Sequence, residues 1–206
     1  TYISASALRR HITDTGTVSS LRSYIPAAIQ QDMQQCIAQG HYTDYTRYAD
    51  YILYANRLLA PQDLRRLAAF SEGLENRWHR CLSHAVSWRE ALTALKTRRY
   101  AYSRLCRMGA YTMLHVLQTD MNEAYQYGPA YARVLALSPA GAALIKQRKK
   151  VFPIITKVNN AFKTLSPYGQ MMLRYDLRST DMQALCCQHA AFRKGLADYY
   201  TSPSVW

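Results

Sequence analysis

The sequence has no apolar run long enough to cross a membrane. A spanning helix needs about 20 predominantly apolar residues, and the longest candidate, residues 109–119, is too short and contains His115. The first residues also show no basic segment followed by an apolar one, which is the pattern of a secretory signal. We therefore expect a cytoplasmic protein with no membrane partner.

Paired cysteines and metal-ligand spacings are also lacking. The five cysteines are an odd number without a CxxC pair, which argues against a disulfide framework and favours a reducing compartment. The group formed by His79, Cys81 and His84 does not give the paired spacing that zinc requires. The motifs of P-loops, zinc metalloproteases and serine hydrolases are absent as well. We predict no metal site and no catalytic residue in this chain.

Acidic residues are scarce relative to basic ones. Only 13 Asp and Glu accompany 26 Lys and Arg, for a net charge of +13. The excess lies in two windows, because residues 77–107 contain eight cations and one acid, and residues 146–163 contain six cations and no acid. Such local clusters indicate a site for a polyanion. The alternative is that two solvated helix faces are basic.

The hydrophobic content of 49% is enough for a real core in a chain of 206 residues. Helical signals dominate, whereas residues 131–137 and 151–156 are short, apolar and bounded by Pro or a charged segment. We predict a mainly α fold, a multi-helix domain with a small βαβ element of two short strands near residues 131–156.

Residues 97–117 give the strongest helix signal. At 100° per residue, one face combines four cations with two tyrosines and the opposite face is apolar. Arginine binds phosphates and tyrosine stacks on unpaired bases, so we predict that RNA contacts this face and a second cluster near residue 148. For that second cluster, stabilisation of a helix C-terminus is the alternative. The predicted RNA-binding residues are Lys96, Arg98, Arg99, Tyr100, Arg104, Arg107, Lys146, Arg148, Lys149 and Lys150.

Four segments, in order along the chain, resemble the bacterial tRNA(Met) cytidine acetate ligase family. The first is ISASALRR (residues 3–10), and the longest is SEGLENRWHRCLSHAVSWREALTALKTRRYAYSRLCRM (residues 71–108). The others are YARVLALSPAG (residues 131–141) and FPIITK (residues 152–157). One departure is Ala136, where the family usually has glycine.

The resemblance implies an enzyme that activates acetate with ATP, together with Mg²⁺, and forms N4-acetylcytidine at the wobble position of elongator tRNA(Met). It also implies that Ser4, Ser6 and Arg9 bind ATP. A helix start with free N–H groups suits a phosphate. The chain starts inside this segment, so we expect a C-terminal portion that lacks the N-terminal nucleotidyltransferase domain and is inactive alone.

The same expectation divides the chain at residue 25. Residues 1–25 would be a remnant of the nucleotidyltransferase domain with a connector, and residues 26–206 a helical tRNA-binding domain. Two other functions fit the charges. One is a stand-alone helical RNA-binding module without enzymatic activity, and the other is a protein-interaction domain that binds an acidic partner.

Overall fold

The computed structural model describes residues 4–148 and 151–205. At Arg148 it describes the backbone only. Helices account for most of this part of the chain. The α-helices are α1 (Ala5–Thr15), α2 (Ala27–Ala38), α3 (Tyr45–Arg57), α4 (Pro61–Leu64), α5 (Leu74–His84), α6 (Trp88–Leu95), α7 (Tyr102–Leu114), α8 (Gln118–Tyr127), α9 (Pro139–Arg148), α10 (Val158–Thr164), α11 (Pro167–Leu185) and α12 (Ala197–Tyr200). Short 3₁₀ helices span Ser19–Tyr24 and Ala190–Phe192.

Four two-residue strands form two parallel pairs. Strand β1 (Ala132–Arg133) pairs with β3 (Ile154–Ile155), and α9 lies between them in the chain. This confirms the predicted βαβ element. Strand β2 (Ala136–Leu137) pairs with β4 (Ser204–Val205), a pair that the sequence did not predict. The fold is therefore mainly α, as predicted, but it is not all-α.

The largest core lies between α3, α5, α6 and α7. Its apolar side chains recur at helical spacing and are almost fully buried, as Trp78 and Leu82 are in α5. Full burial of one such leucine stabilises the fold by about 1.5–3 kcal/mol. Gly109 allows α7 to approach α6, because a Cβ atom there would lie 2.9 Å from Cζ2 of Trp88.

A polar network crosses the centre of this core. Trp78 donates its indole N–H to the side-chain oxygen of Asn56, at 2.6 Å. The amide nitrogen of Asn56 donates to the Thr112 hydroxyl and to the Ile52 carbonyl, both at 2.8 Å. The Thr112 hydroxyl in turn donates to the carbonyl of Gly109. Asn56 is 1% exposed, so water cannot replace these partners and each hydrogen bond is needed.

Two smaller cores lie outside this centre. In the first, Val18, Leu21 and Ile25 are buried against side chains of α1 and α2. This core includes residues on both sides of residue 25, and the predicted division of the chain there stays a prediction. In the second core, α10 and α11 pack around Leu173. Within the described ranges, no helix is long and apolar enough to span a membrane.

Replacing Asn56 with leucine should cost about 2–3 kcal/mol of unfolding free energy. The substitution keeps the number and branching of the side-chain heavy atoms but leaves the buried Trp78 N–H without an acceptor, at about 1–3 kcal/mol per unsatisfied group. Thr112→Val removes one partner only, so we expect a loss of about 1 kcal/mol. Urea unfolding of both variants measures the difference. Equal losses would contradict the central role of Asn56.

Candidate functional site

The predicted basic helix begins later than the sequence indicated. Lys96 ends α6 in an extended conformation, and α7 begins only at Tyr102. Between them, the Thr97 hydroxyl accepts a hydrogen bond from the Tyr100 N–H, at 3.2 Å. Such local bonds compete with helix formation. The prediction that Lys96, Arg99 and Tyr100 lie on one helical face with Arg104 and Arg107 is therefore wrong.

Tyr100 is not available to stack on a base. Its side chain is only 9% exposed and belongs to the large core. The guanidinium groups of Arg99 and Arg104 lie 5.9 and 5.3 Å from its ring centroid, a cation–π arrangement. The protein itself covers the ring, so the structure gives the predicted RNA contact by Tyr100 no support, and that contact stays a prediction.

The remaining predicted cations of this window differ in what they contact. Arg104 is half-buried and donates to the carbonyl of Ala69, at 3.1 Å. Arg99 is exposed and forms an ion pair with Glu72. Lys96, Arg98 and Arg107 are exposed, and their side chains have no hydrogen bond or ion pair within the described ranges. We call Lys96, Arg98 and Arg107 the open cations.

The second predicted cluster is described only in part. Lys146 is exposed on α9. Arg148 ends that helix, and its side chain lies outside the described residues, as do Lys149 and Lys150. Their predicted phosphate contact stays a prediction.

The predicted ATP-binding residues come together at the start of α1. Ser4 is the N-cap and accepts a hydrogen bond from the Ala7 N–H, at 3.2 Å. The Arg9 guanidinium donates to the Ser6 hydroxyl, at 3.3 Å. All three side chains are exposed. A helix start that carries a hydroxyl and a guanidinium within one turn fits a phosphate group.

A large cleft, which the sequence did not predict, opens beside this helix. Its volume is about 1210 Å³, and its walls come from α1, α3, α6, α7 and α11. Four of its lining residues are aromatic and four contain sulfur. Its lining side chains include Arg9, Arg10, Tyr45, Tyr48, Trp88, Arg89, Tyr102, Cys106 and Cys186. We call this the aromatic cleft.

Helix α7 positions the cleft because it has three different sides. Leu105, Met108 and Thr112 are buried against the core. Tyr102 and Cys106, one turn apart, line the cleft. The third side carries Arg107, which follows Cys106 by 100° around the helix. The sequence pattern showed an apolar and a basic face, but it could not separate a core-facing residue from a cleft-facing one.

The charge of the aromatic cleft comes from arginine alone. Its lining includes Arg9, Arg10 and Arg89, and no carboxylate. Burial raises the pKa of the Tyr102 phenol and of the Cys106 thiol. Because these groups already titrate above pH 7 at their ordinary values, they are neutral there. The site therefore combines a neutral aromatic interior with three cations.

The described residues do not form a cluster of metal-ligating side chains. Across residues 4–148 and 151–205, no group of three or more His, Cys, Asp or Glu side chains could hold an ion.

Reversing the charge of Arg104 should destabilise the fold, whereas the same change at Arg107 should not. Arg104→Glu loses the hydrogen bond to Ala69 and the contact with Tyr100, so we expect a loss of about 1–3 kcal/mol. Arg107→Glu on the same helix is the matched control and should stay within about 0.5 kcal/mol of the parent. Urea unfolding compares them. Equal stability of the two variants would show that the Arg104 contacts contribute nothing.

The comparisons with known proteins cover almost the whole chain. A family model described as HIGH Nucleotidyl Transferase matches residues 1–198. The tRNA(Met) cytidine acetate ligase of Alkaliphilus metalliredigens is 30% identical over 204 residues, which is 97% of this chain and 48% of the relative. That of Clostridium botulinum (strain Okra) is 26% identical over 99% of this chain and 48% of the relative. The chain thus spans about half the length of the curated relatives it matches.

Solved structures show the same fold. The crystal structure of Thermotoga maritima TmcAL bound with alpha-thio ATP matches with a TM-score of 0.92 at 22% identity, over 99% of this chain and 52% of that chain. The apo form of the same protein matches with a TM-score of 0.90, also at 22% identity, over 98% of this chain and 51% of that chain.

The nucleotidyltransferase match corrects two predictions. It runs over residues 1–198, so the descriptions of this chain as a C-terminal portion and as lacking the nucleotidyltransferase domain are wrong. The resemblance itself is confirmed. The chain belongs to the HIGH nucleotidyl transferase family, and its homologues include tRNA(Met) cytidine acetate ligases.

Proposed function

We propose that this chain is the tRNA-binding part of an ATP-dependent tRNA(Met) cytidine acetate ligase. The open cations carry this proposal. Lys96, Arg98 and Arg107 project from the packed α5–α7 region, and no carboxylate of the described part neutralises them. Cations without protein partners are free to replace the counterions of an RNA backbone. The identity of the RNA, tRNA(Met), is taken from the names of the relatives.

The whole enzyme would join acetate to the wobble cytidine in two steps. An acetate oxygen attacks the α-phosphorus of ATP, and pyrophosphate leaves, which forms acetyl-adenylate. The N4 amine of the cytidine then attacks the acetyl carbon, AMP leaves, and the amine loses a proton. This proposal also includes elongator tRNA(Met) as the substrate, Mg²⁺ as the ion that accompanies ATP and the cytoplasm as the location.

In this chain, Ser4, Ser6 and Arg9 would contact the phosphates of ATP. Their support is local geometry, because the hydroxyls and the guanidinium lie within six consecutive exposed or half-exposed residues at the start of α1. Arg9 would neutralise charge on the phosphates. The ATP analogue held by the Thermotoga maritima protein is consistent with this ligand class.

Reversing the open cations should weaken tRNA binding. We expect Lys96→Glu/Arg98→Glu/Arg107→Glu to lower the affinity for unmodified elongator tRNA(Met) at least about tenfold. The slope of log affinity against log salt should also fall by about 2 or more, because each lost phosphate contact contributes about 0.9. Fluorescence anisotropy across a salt series, with an unrelated tRNA as competitor, measures both.

The matched control changes the same net charge elsewhere. Arg22→Glu/Arg66→Glu/Lys194→Glu alters three cations that are also exposed and lie outside both basic windows, and it should keep most of the affinity. Equal losses in both variants would indicate attraction by overall charge only. Binding by the parent chain without preference for the methionine tRNA would favour the stand-alone RNA-binding module. No binding at low salt by a folded chain would overturn the RNA proposal.

Replacing Arg9 with alanine should weaken ATP binding at least about fivefold, because one charge-assisted hydrogen bond contributes about 1.5–3 kcal/mol. Equilibrium dialysis with labelled ATP measures this. Arg22→Ala, which removes an exposed cation outside the site, is the control and should bind like the parent. Unchanged ATP affinity in Arg9→Ala would remove Arg9 from the proposed site.

A further inference from the structure

We propose that the aromatic cleft receives unpaired nucleotides of single-stranded RNA. The inference rests on the proposed function, because a tRNA would supply such nucleotides from a loop. It goes beyond the open cations, which contact only the sugar–phosphate backbone in that proposal. Backbone contacts position an RNA, whereas the cleft would take up its bases.

Exposed aromatic rings are the first observation. Tyr45 on α3 and Tyr102 on α7 both line the cleft, although their side chains are 61% and 55% exposed. Trp88 lies deeper, at 9% exposure. The protein leaves the first two rings largely uncovered at the mouth of an otherwise well-formed cavity. Each base that stacks on such a ring contributes about 1–3 kcal/mol, whatever its identity.

The charge pattern is the second observation. Arg9 and Arg10 come from α1 and Arg89 comes from α6, so cations approach the cleft from two different elements. The cleft lining contains no carboxylate, and burial raises the pKa of Tyr102 and of Cys106, which keeps both groups neutral at pH 7. A nucleotide matches this arrangement with its apolar base and its anionic phosphate. An acidic peptide would use the arginines but would leave the tyrosine faces without a flat partner.

The size of the cleft admits more than one nucleotide, and stacking on its tyrosines requires bases that are not paired. Its volume of about 1210 Å³ exceeds the roughly 300–1,000 Å³ of pockets for drug-sized ligands. The bases of a duplex are stacked on each other and are not free to enter, so only unpaired nucleotides present a face to Tyr45 or Tyr102. Recognition by stacking alone is tolerant of base identity.

A short single-stranded RNA with the anticodon-loop sequence of tRNA(Met) tests the proposal. We expect the folded chain to bind it more tightly than a duplex of the same strand, as measured by fluorescence anisotropy. Tyr45→Leu/Tyr102→Leu should lower the single-strand affinity at least about tenfold. Tyr54→Leu/Tyr125→Leu is the control, because both tyrosines are more than 60% exposed and lie outside the cleft lining.

A charge change tests the same cleft independently of the rings. Arg89→Glu should weaken single-strand binding, whereas Arg80→Glu, an exposed arginine of α5 outside the lining, should not. Thermal unfolding checks that each variant is folded. If the paired tyrosine variant did not fold, the comparison of Arg89 with Arg80 would decide alone.

Each remaining outcome contradicts a different statement. Cleft variants that bind the single strand like their controls, while the parent chain binds tRNA, would overturn the cleft proposal and leave the proposed function standing. A loss of ATP affinity in Tyr45→Leu/Tyr102→Leu as large as the loss of single-strand affinity would make the cleft an ATP site instead. Displacement of the single strand by ATP would not show this, because Arg9 of the cleft lining also belongs to the proposed ATP site. Displacement by polyglutamate at equal charge concentration would make it a site for acidic protein. Failure of the parent chain to bind any RNA would overturn both proposals.

Discussion

The hydrogen bonds around Asn56 hold the centre of this protein in a single arrangement. Asn56 of α3 accepts from Trp78 of α5 and donates to Thr112 of α7, so one side chain joins three helices. Apolar contacts tolerate small rotations of a helix, whereas buried hydrogen bonds require particular distances and directions. The network therefore determines which side of α7 faces the core. The same rotation decides which residues of α7 face the cleft and which face solvent.

With α7 held in this way, its other two sides serve different purposes. One side places Tyr102 and Cys106 in the aromatic cleft, and the next side presents Arg107 to solvent. The cations of the same region also differ in what they contact. Arg104 supports the loop between α4 and α5 by donating to the Ala69 carbonyl, so its charge is used within the protein. An estimate of RNA contacts from the number of arginines would therefore be too high.

Several elements could be predicted from the sequence because their signals are local. The mainly α fold follows from apolar residues at helical spacing, and the βαβ element follows from two short apolar segments on either side of α9. Other elements could not. The helix start at Tyr102 depends on the hydrogen bond between Thr97 and Tyr100 and on the burial of Tyr100. Strand β4 is only two residues long and pairs with a segment more than sixty residues earlier.

In the candidate site, too, some features could be predicted from the sequence and others could not. The sequence by itself determined the basic character of residues 77–107, the family resemblance and the grouping of Ser4, Ser6 and Arg9, because each depends on residues close together in the chain. Only the tertiary structure decided that Tyr100 is buried and that Tyr45, Arg89 and Tyr102 share a cleft. Tyr45, Arg89 and Tyr102 come from three separate helices. Their proximity is a consequence of how the helices pack, and no short sequence pattern encodes it.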